Sequence, residues 1–260
     1  MSISGWREPP LHGFPHRASS RADARALRIE IAVVLAVTLG LQGFYSAISF
    51  TEALLAPAAL AEQSVALNAS RSPTGLIDFL RQLAGALRLL AWAALGGYLL
   101  WRSGALARAR QFLRPRARDL LPGVALAALI GLPGLALYFG GRALGITVEV
   151  IPAALPDAWW SLPMLVLSAI ANSAAEEILV VAYLLVRLHQ LGVRPWAAVA
   201  MSAALRGLYH LYQGIGSFGG NIVMGIVFAR YFQATSRAWP LIAAHALIDI
   251  VAFVGYTVLR

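Results

Sequence analysis

Apolar residues dominate this chain in seven long runs that short polar stretches separate. Runs of about 20 apolar residues are long enough to cross the hydrocarbon core of a bilayer as helices. The pattern therefore predicts an all-α fold, a polytopic transmembrane helix bundle with about seven spans. The runs cover residues 29–50, 82–101, 120–140, 160–186, 196–212, 219–235 and 239–259.

The composition agrees with the pattern. Hydrophobic residues make up 59% of the chain and charged residues 13%, with a mean hydropathy of +0.70, far more apolar than a soluble domain. Residues 1–28 contain several prolines and arginines, and we predict that they form a disordered cytoplasmic tail. Glycines and alanines in residues 29–159 suit close helix packing and predict an N-terminal transmembrane scaffold. The polar groups concentrate in residues 160–260, which we predict to be the catalytic core.

All 21 basic residues are arginine, and they give the chain a net charge of +9. Arginines cluster before the first apolar run and follow the second, fourth and sixth runs. This asymmetry predicts a cytoplasmic N-terminus and an external C-terminus. Basic loops at a membrane surface attract anionic lipid head groups, so we expect the lipid bilayer as a partner and no nucleic acid. The chain has no cysteine, which excludes disulfides and thiolate chemistry.

Five acidic or histidine residues interrupt the later apolar runs. Each such group costs roughly 2.5 kcal/mol or more at bilayer depth, so these groups are rare and mark functional sites by default. The sequence therefore predicts one polar site shared by several helices. Its members are Glu176, Glu177, His210, His245 and Asp249.

Helix geometry assigns these groups different directions. Adjacent helical residues point about 100° apart, so one of Glu176 and Glu177 can serve the site while the other meets a neighbouring helix. His245 and Asp249 are four residues apart and share a face. Tyr209 and Tyr212 are more typical of anchors at the membrane interface than of a substrate groove.

Two chemistries are compatible with this set. A glutamate in an apolar setting is suited to act as a general base on water. His210, His245 and Asp249 could hold a divalent metal such as zinc at an open site. Alternatively, the same side chains could stabilise an oxyanion without metal. The sequence lacks the His-Glu-x-x-His spacing that favours a metal site, and both chemistries stay open.

Three short motifs resemble those of the CPBP intramembrane proteases, the family of CAAX proteases and bacteriocin-processing enzymes also called Abi. That family has Glu-Glu followed four residues later by Arg, then Phe-x-x-x-His, then His-x-x-x-Asn or Asp, on separate membrane helices. The similarity covers about residues 160–255. The corresponding segments here are Glu176-Glu177 through Tyr183, Arg206 through His210, and His245 through Asp249.

The resemblance implies a glutamic or metallo-endopeptidase that cleaves membrane-associated peptides or proteins, prenylated ones in the eukaryotic branch. It implies that Glu176 activates the water. It further implies that His210, His245 and Asp249 bind and polarise at the same site. We therefore expect an integral protein of a bacterial plasma membrane.

Two positions depart from the family motifs. Val181 occupies the position of the family arginine, and Arg206 that of the family phenylalanine. Arg206 lies one helical turn before His210 on the same face. We therefore predict that the arginine has moved to the neighbouring helix, where Arg206 supports the site by pairing with Glu177.

A second hypothesis assigns the same polar cluster to a protein without proteolytic activity. A degenerate relative could act as a membrane scaffold, or the carboxylates could relay protons in a coupled carrier. A carrier is favoured by paired inverted repeats with broken helices. No convincing internal pair is present in the sequence, so endopeptidase activity is the preferred hypothesis.

Overall fold

The computed structural model describes residue 14, residues 16–108 and residues 112–259. The predicted all-α bundle is confirmed. Its helices are α1 (Arg21–Val37), α2 (Leu39–Leu55), α3 (Gly75–Arg102), α4 (Ala105–Arg108), α5 (Leu120–Ala143), α6 (Ser161–Glu176), α7 (Leu184–Gln190), α8 (Pro195–His210), α9 (Ile215–Thr235) and α10 (Trp239–Leu259). Three short 3₁₀ turns cover Leu60–Glu62, Ala117–Asp119 and Leu211–Gln213.

In the part of the chain that the structure describes, two three-residue strands lie outside the helices. Strand β1 (Ser64–Ala66) pairs in parallel with β2 (Glu149–Ile151), with Val65 opposite Val150. The pair connects the chain between α2 and α3 to the chain between α5 and α6. It is too small to change the fold class.

The helices that can cross a membrane number five or six among the described residues, against about seven predicted. Five are long and apolar enough alone, and α1 with α2, bent by 49°, make a sixth if they form one span. The break falls at Thr38, whose hydroxyl donates to the Val34 carbonyl at 2.6 Å. The fifth predicted run folds as α8, which has 16 residues and is shorter than a typical span.

The chain termini and turns follow local chemistry. The Ser20 hydroxyl caps α1 by accepting a hydrogen bond from the Asp23 amide, so this helix begins at Arg21, within the predicted tail. Residues 1–13 and 15 of that tail lie outside the described residues. Pro195 opens α8, where its fixed φ angle suits the first helical turn.

Helix α6 continues through a π-helical segment, Glu177–Tyr183, into α7. The three segments form one candidate span, Ser161–Gln190. Helices α3 and α10 pack on α6, and α8 packs on α9. The close approach of α8 and α9 depends on Gly225, where a Cβ would lie 2.8 Å from the Ala203 Cα.

Several arginines that the sequence suggests as cytoplasmic surface charges are buried. Arg187 is 1% exposed and its Nε lies 2.7 Å from a Glu30 oxygen. Arg237 forms a bidentate ion pair with the buried Asp119, and Arg230 is also buried. These side chains stabilise the packing of helices, so they carry less information on orientation than their positions in the sequence indicate. The predicted orientation stays a prediction.

Candidate active site

Two adjacent glutamates lie where α6 changes into the π-helical segment. Glu176 is the last residue of α6, and Glu177 is the first residue of the π turn. Both side chains are buried. π-Helical turns inside α-helices are frequent at functional sites because they shift the direction of the side chains. Ser202 of α8 donates its hydroxyl to the Val180 carbonyl at 2.7 Å and satisfies a backbone acceptor of this segment.

Arg206 of α8 contacts both glutamates. Its Nη2 donates to Glu177 Oε1 at 2.6 Å, and its Nη1 lies 3.3 Å from Glu176 Oε2. Arg206 and Glu177 are completely buried, and the guanidinium lies 5.6 Å from the centre of the Phe228 ring. The predicted pair between Arg206 and Glu177 is therefore present across the helix interface.

Tyr209 also contacts Glu176. Its hydroxyl donates to Glu176 Oε2 at 2.6 Å, and the side chain is buried. The sequence-based expectation of an interfacial anchor is wrong for this tyrosine. Its position three residues after Arg206 puts both donors near one carboxylate oxygen, because residues three apart are neighbours on a helix.

His245 of α10 lies between two carboxylates. Its Nδ1 is 2.8 Å from Glu177 Oε1, and its Nε2 is 3.6 Å from Asp249 Oδ2. The Asn172 amide donates to the same Asp249 oxygen at 3.3 Å. Asn172 was not among the predicted site residues, although its position one turn before Glu176 was the available signal.

His210 ends α8 and is oriented by its own helix. Its Nδ1 lies 3.0 Å from the Arg206 carbonyl. A carbonyl can only accept, so Nδ1 is the donor of this bond and carries the proton. The Nε2 atom of a neutral ring then presents a lone pair away from the helix.

One cavity of about 720 Å³ joins the members of the cluster. Glu177 and Arg206 are not among its lining residues, so they lie behind the wall that Glu176 forms. Glu176 thus lines the cavity while Glu177 contacts Arg206 of the neighbouring helix α8, as their adjacent positions predict. The polar lining near Glu176 consists of Asn172, Glu176, Tyr209, His210, His245 and Asp249.

The comparison with known families agrees with this geometry. Residues 158–251 match the family model described as type II CAAX prenyl endopeptidase Rce1-like. This part of the chain, about a third of its length, is similar to the CAAX proteases. No curated protein matches the chain significantly, and no solved structure does so either. The matched region contains both glutamates, His210, His245 and Asp249, and the description of the family model is that of an endopeptidase.

The region similar to the CAAX proteases departs from the family motif at the arginine. Val181 is completely buried among apolar side chains of the core. The guanidinium that contacts Glu177 comes instead from α8. A buried carboxylate without a partner is costly, and Arg206 removes that cost.

The side chains fit a resident metal poorly. Among the described residues, three potential donor atoms lie within 4.8 Å of one another only for Glu176, Glu177 and His245. The predicted ligand set of His210, His245 and Asp249 does not form such a group. The Arg206 guanidinium already contacts both glutamates, and a second cation at this position would be repelled by it.

Proposed function

We propose that this protein is an intramembrane endopeptidase in which Glu176 activates the attacking water. The observation that carries the proposal is the position of the Glu176 carboxylate. It borders a cavity large enough for a short peptide segment, and the two histidines border the same cavity. Tyr209 and Arg206 both hold its Oε2 atom, which fixes the direction of the carboxylate.

The reaction needs one proton to move twice. Glu176 takes a proton from water as the water oxygen attacks the scissile carbonyl carbon. The protonated Glu176 then gives this proton to the leaving nitrogen as the C–N bond breaks. The products are a new carboxyl group and a new amine, so atoms and charges balance without a further reactant.

The two histidines act on the attacking water and on the scissile carbonyl. The Nε2 lone pair of His210 orients the water by accepting one of its hydrogens. His245, which two carboxylates hold in place, polarises the scissile carbonyl. Preorganised polar groups in a water-poor site are effective here because they need no reorganisation during the reaction.

Arg206 and Glu177 are positioning residues in this proposal. Arg206 neutralises Glu177 and orients Glu176, while Glu177 orients the His245 ring by accepting from Nδ1. Neither residue contacts the cavity. Their substitution is therefore expected to act through Glu176 and His245 rather than through direct contacts with substrate.

A peptide-cleavage assay tests the proposal. The full-length protein is reconstituted in liposomes with a broad peptide library, and products are detected by mass spectrometry. We expect cleavage by the wild type and by Glu52→Gln, whose glutamate is exposed, but not by Glu176→Gln. Undiminished turnover by Glu176→Gln would refute the general-base role. A wild type that binds peptides without cleaving any of them would favour a non-proteolytic scaffold.

A further inference from the structure

Arg88 is a charged residue in the interior of a membrane-spanning helix. It lies in α3, which runs from Gly75 to Arg102, about 20 Å from either end at 1.5 Å per residue. An arginine at this depth is costly, and such residues normally face a partner or a water-filled cavity. The match to the CAAX protease family begins at residue 158, so it assigns no role to Arg88.

The Arg88 guanidinium has no anionic partner in the described part of the chain. No hydrogen bond or ion pair to it is present there, and its Cζ lies 5.5 Å from the centre of the Trp92 ring. Arg187, Arg206 and Arg237, by contrast, each contact a carboxylate. The charge on Arg88 is therefore available to a ligand.

Contact with lipid head groups does not account for this side chain. A lipid-facing arginine directs its guanidinium towards the nearest membrane surface. The Arg88 side chain is exposed, its guanidinium lies over Trp92 one turn further along α3, and both residues line the cavity that Glu176 lines. From the middle of α3, the side chain is too short to reach either surface of a hydrocarbon core about 30 Å thick.

Arg71 adds a second positive charge to the same cavity. Its guanidinium crosses α3 at Gly85, where a Cβ would collide with it. The buried Asp78 holds this loop, because its carboxylate accepts from the Arg71 amide and from the Ser70 hydroxyl, both at 2.8 Å. The position of Arg71 at the cavity is thus built into the fold.

The part of the cavity that Arg71 and Arg88 line lies a short distance from Glu176. Helices α3 and α6 run side by side in the same direction, because Phe79 contacts Trp160 and Gly96 contacts Ile178. By this register Arg88 is level with about residue 170, roughly 9 Å along the axis from Glu176. An extended peptide covers this distance in a few residues.

We propose that Arg88, assisted by Arg71, binds a carboxylate of the peptide substrate a few residues from the scissile bond. The guanidinium group matches a carboxylate with two parallel hydrogen bonds. The carboxylate is either the C-terminus of the peptide or an acidic side chain. This inference rests on the proposed endopeptidase function and names the substrate group that the cavity selects.

A binding experiment tests the inference without depending on turnover. Full-length Glu176→Gln protein in detergent is titrated into a fluorescently labelled peptide rich in Ala and Leu, and anisotropy is measured. Three peptides are compared: one with a free C-terminal carboxylate, one with a C-terminal amide, and one amidated peptide with an internal Glu. We expect one or both carboxylate peptides to bind at least about tenfold more tightly than the plain amide, since hydrogen bonds to charged groups have this magnitude.

Substitutions test whether Arg88 causes the preference for carboxylate peptides. In the Glu176→Gln background, Arg88→Gln should abolish the preference, Arg88→Lys should keep part of it, and Arg102→Gln should keep all of it. Arg102 is exposed on the same helix and does not line the cavity. Which carboxylate peptide binds more tightly identifies the source of the group. Equal binding of all three peptides, no binding of any, or a preference that survives Arg88→Gln overturns the inference.

The binding result and the cleavage result separate the two proposals. Carboxylate binding that depends on Arg88, combined with a wild type that cleaves nothing, would refute endopeptidase activity and leave the anion site intact. Cleavage by the wild type with equal KM for acid and amide forms of a cleaved peptide would refute the anion site alone. If both hold, Arg88→Gln should raise KM for the carboxylate peptide about tenfold or more and change kcat little.

Discussion

The Arg206 guanidinium lies 2.6 Å from the Glu177 carboxylate, although the two residues belong to different helices. In the family motif the arginine lies four residues after the second glutamate, on the same helix. The geometry here keeps the charge pair and changes the helix that supplies the cation. Arg206 lies four residues before His210 on α8, and at this position it also contacts Glu176.

Arg206→Phe should lower the free energy of unfolding by about 3–5 kcal/mol, because it leaves the buried Glu177 without its cation. Adding Val181→Arg should recover much of this loss, since residue 181 lies one turn from Glu177. Thermal unfolding of the detergent-solubilised protein gives the measurement. Arg118→Phe, at an exposed arginine, is the control and should have little effect. A double variant no more stable than Arg206→Phe would contradict the relocation.

Tyr209→Phe should reduce kcat/KM by about tenfold, which corresponds to about 1.4 kcal/mol. The substitution removes only the hydroxyl that donates to Glu176 Oε2. The comparison is with Tyr98→Phe, because Tyr98 is 51% exposed on α3. Equal kcat/KM for the two variants would show that this hydrogen bond does not orient Glu176 during the reaction.

His210→Ala and His245→Ala should each reduce kcat by about 10²–10³, the usual cost of removing one preorganised polar group at the reacting atoms. His189→Ala should leave kcat nearly unchanged, because His189 packs against Phe14 away from the cavity. Single-turnover kinetics on a peptide that the wild type cleaves provides the test. Activity in either cavity variant close to that of His189→Ala would remove that histidine from the mechanism.

Gly225→Ala should destabilise the protein by about 1–3 kcal/mol, the usual cost of overpacking. The added Cβ would collide with Ala203 and come 3.4 Å from the Arg206 Cδ. The matched control is Gly219→Ala on the same helix, where nothing lies within 4 Å of the added atom. If both variants unfold at the same temperature, the contact between α8 and α9 does not limit stability.

Chelation should leave the activity of the purified protein unchanged, because Arg206 occupies the position next to both glutamates that a metal would need. The peptide assay is repeated after exhaustive dialysis against EDTA, with a zinc peptidase treated in parallel. Loss of activity that added zinc restores would establish a metal-dependent mechanism instead.

Charge within apolar runs was enough to predict which residues meet. Glu176, His210, His245 and Asp249 all line one cavity, because an ionisable group inside a membrane bundle has few other places to lie. The pairing of Arg206 with Glu177 was predictable for the same reason. Helical periodicity also separated the two glutamates correctly.

Other features leave no local signal in the sequence. The π-helical segment has an ordinary apolar sequence, Glu177–Tyr183, and its geometry depends on packing against neighbouring helices. Tyr209 lies near the end of a short helix, as an interfacial anchor would, but folding turns it towards Glu176. Arg187 is buried because it pairs with Glu30, which is distant in sequence. Counting the arginines at the ends of the apolar runs could not reveal this burial.

The buried ion pairs share an order along the chain. Among the described residues, the acid comes first in each ion pair that an arginine forms: Glu30 before Arg187, Asp119 before Arg237, and Glu177 before Arg206. A chain made from its N-terminus therefore delivers each carboxylate to the membrane before the cation that neutralises it. The helix with Glu177 cannot settle in lipid in its final charged form until α8 has been synthesised. Because an unpaired buried charge is costly, we expect Glu177 to be protonated or kept out of lipid until α8 supplies Arg206.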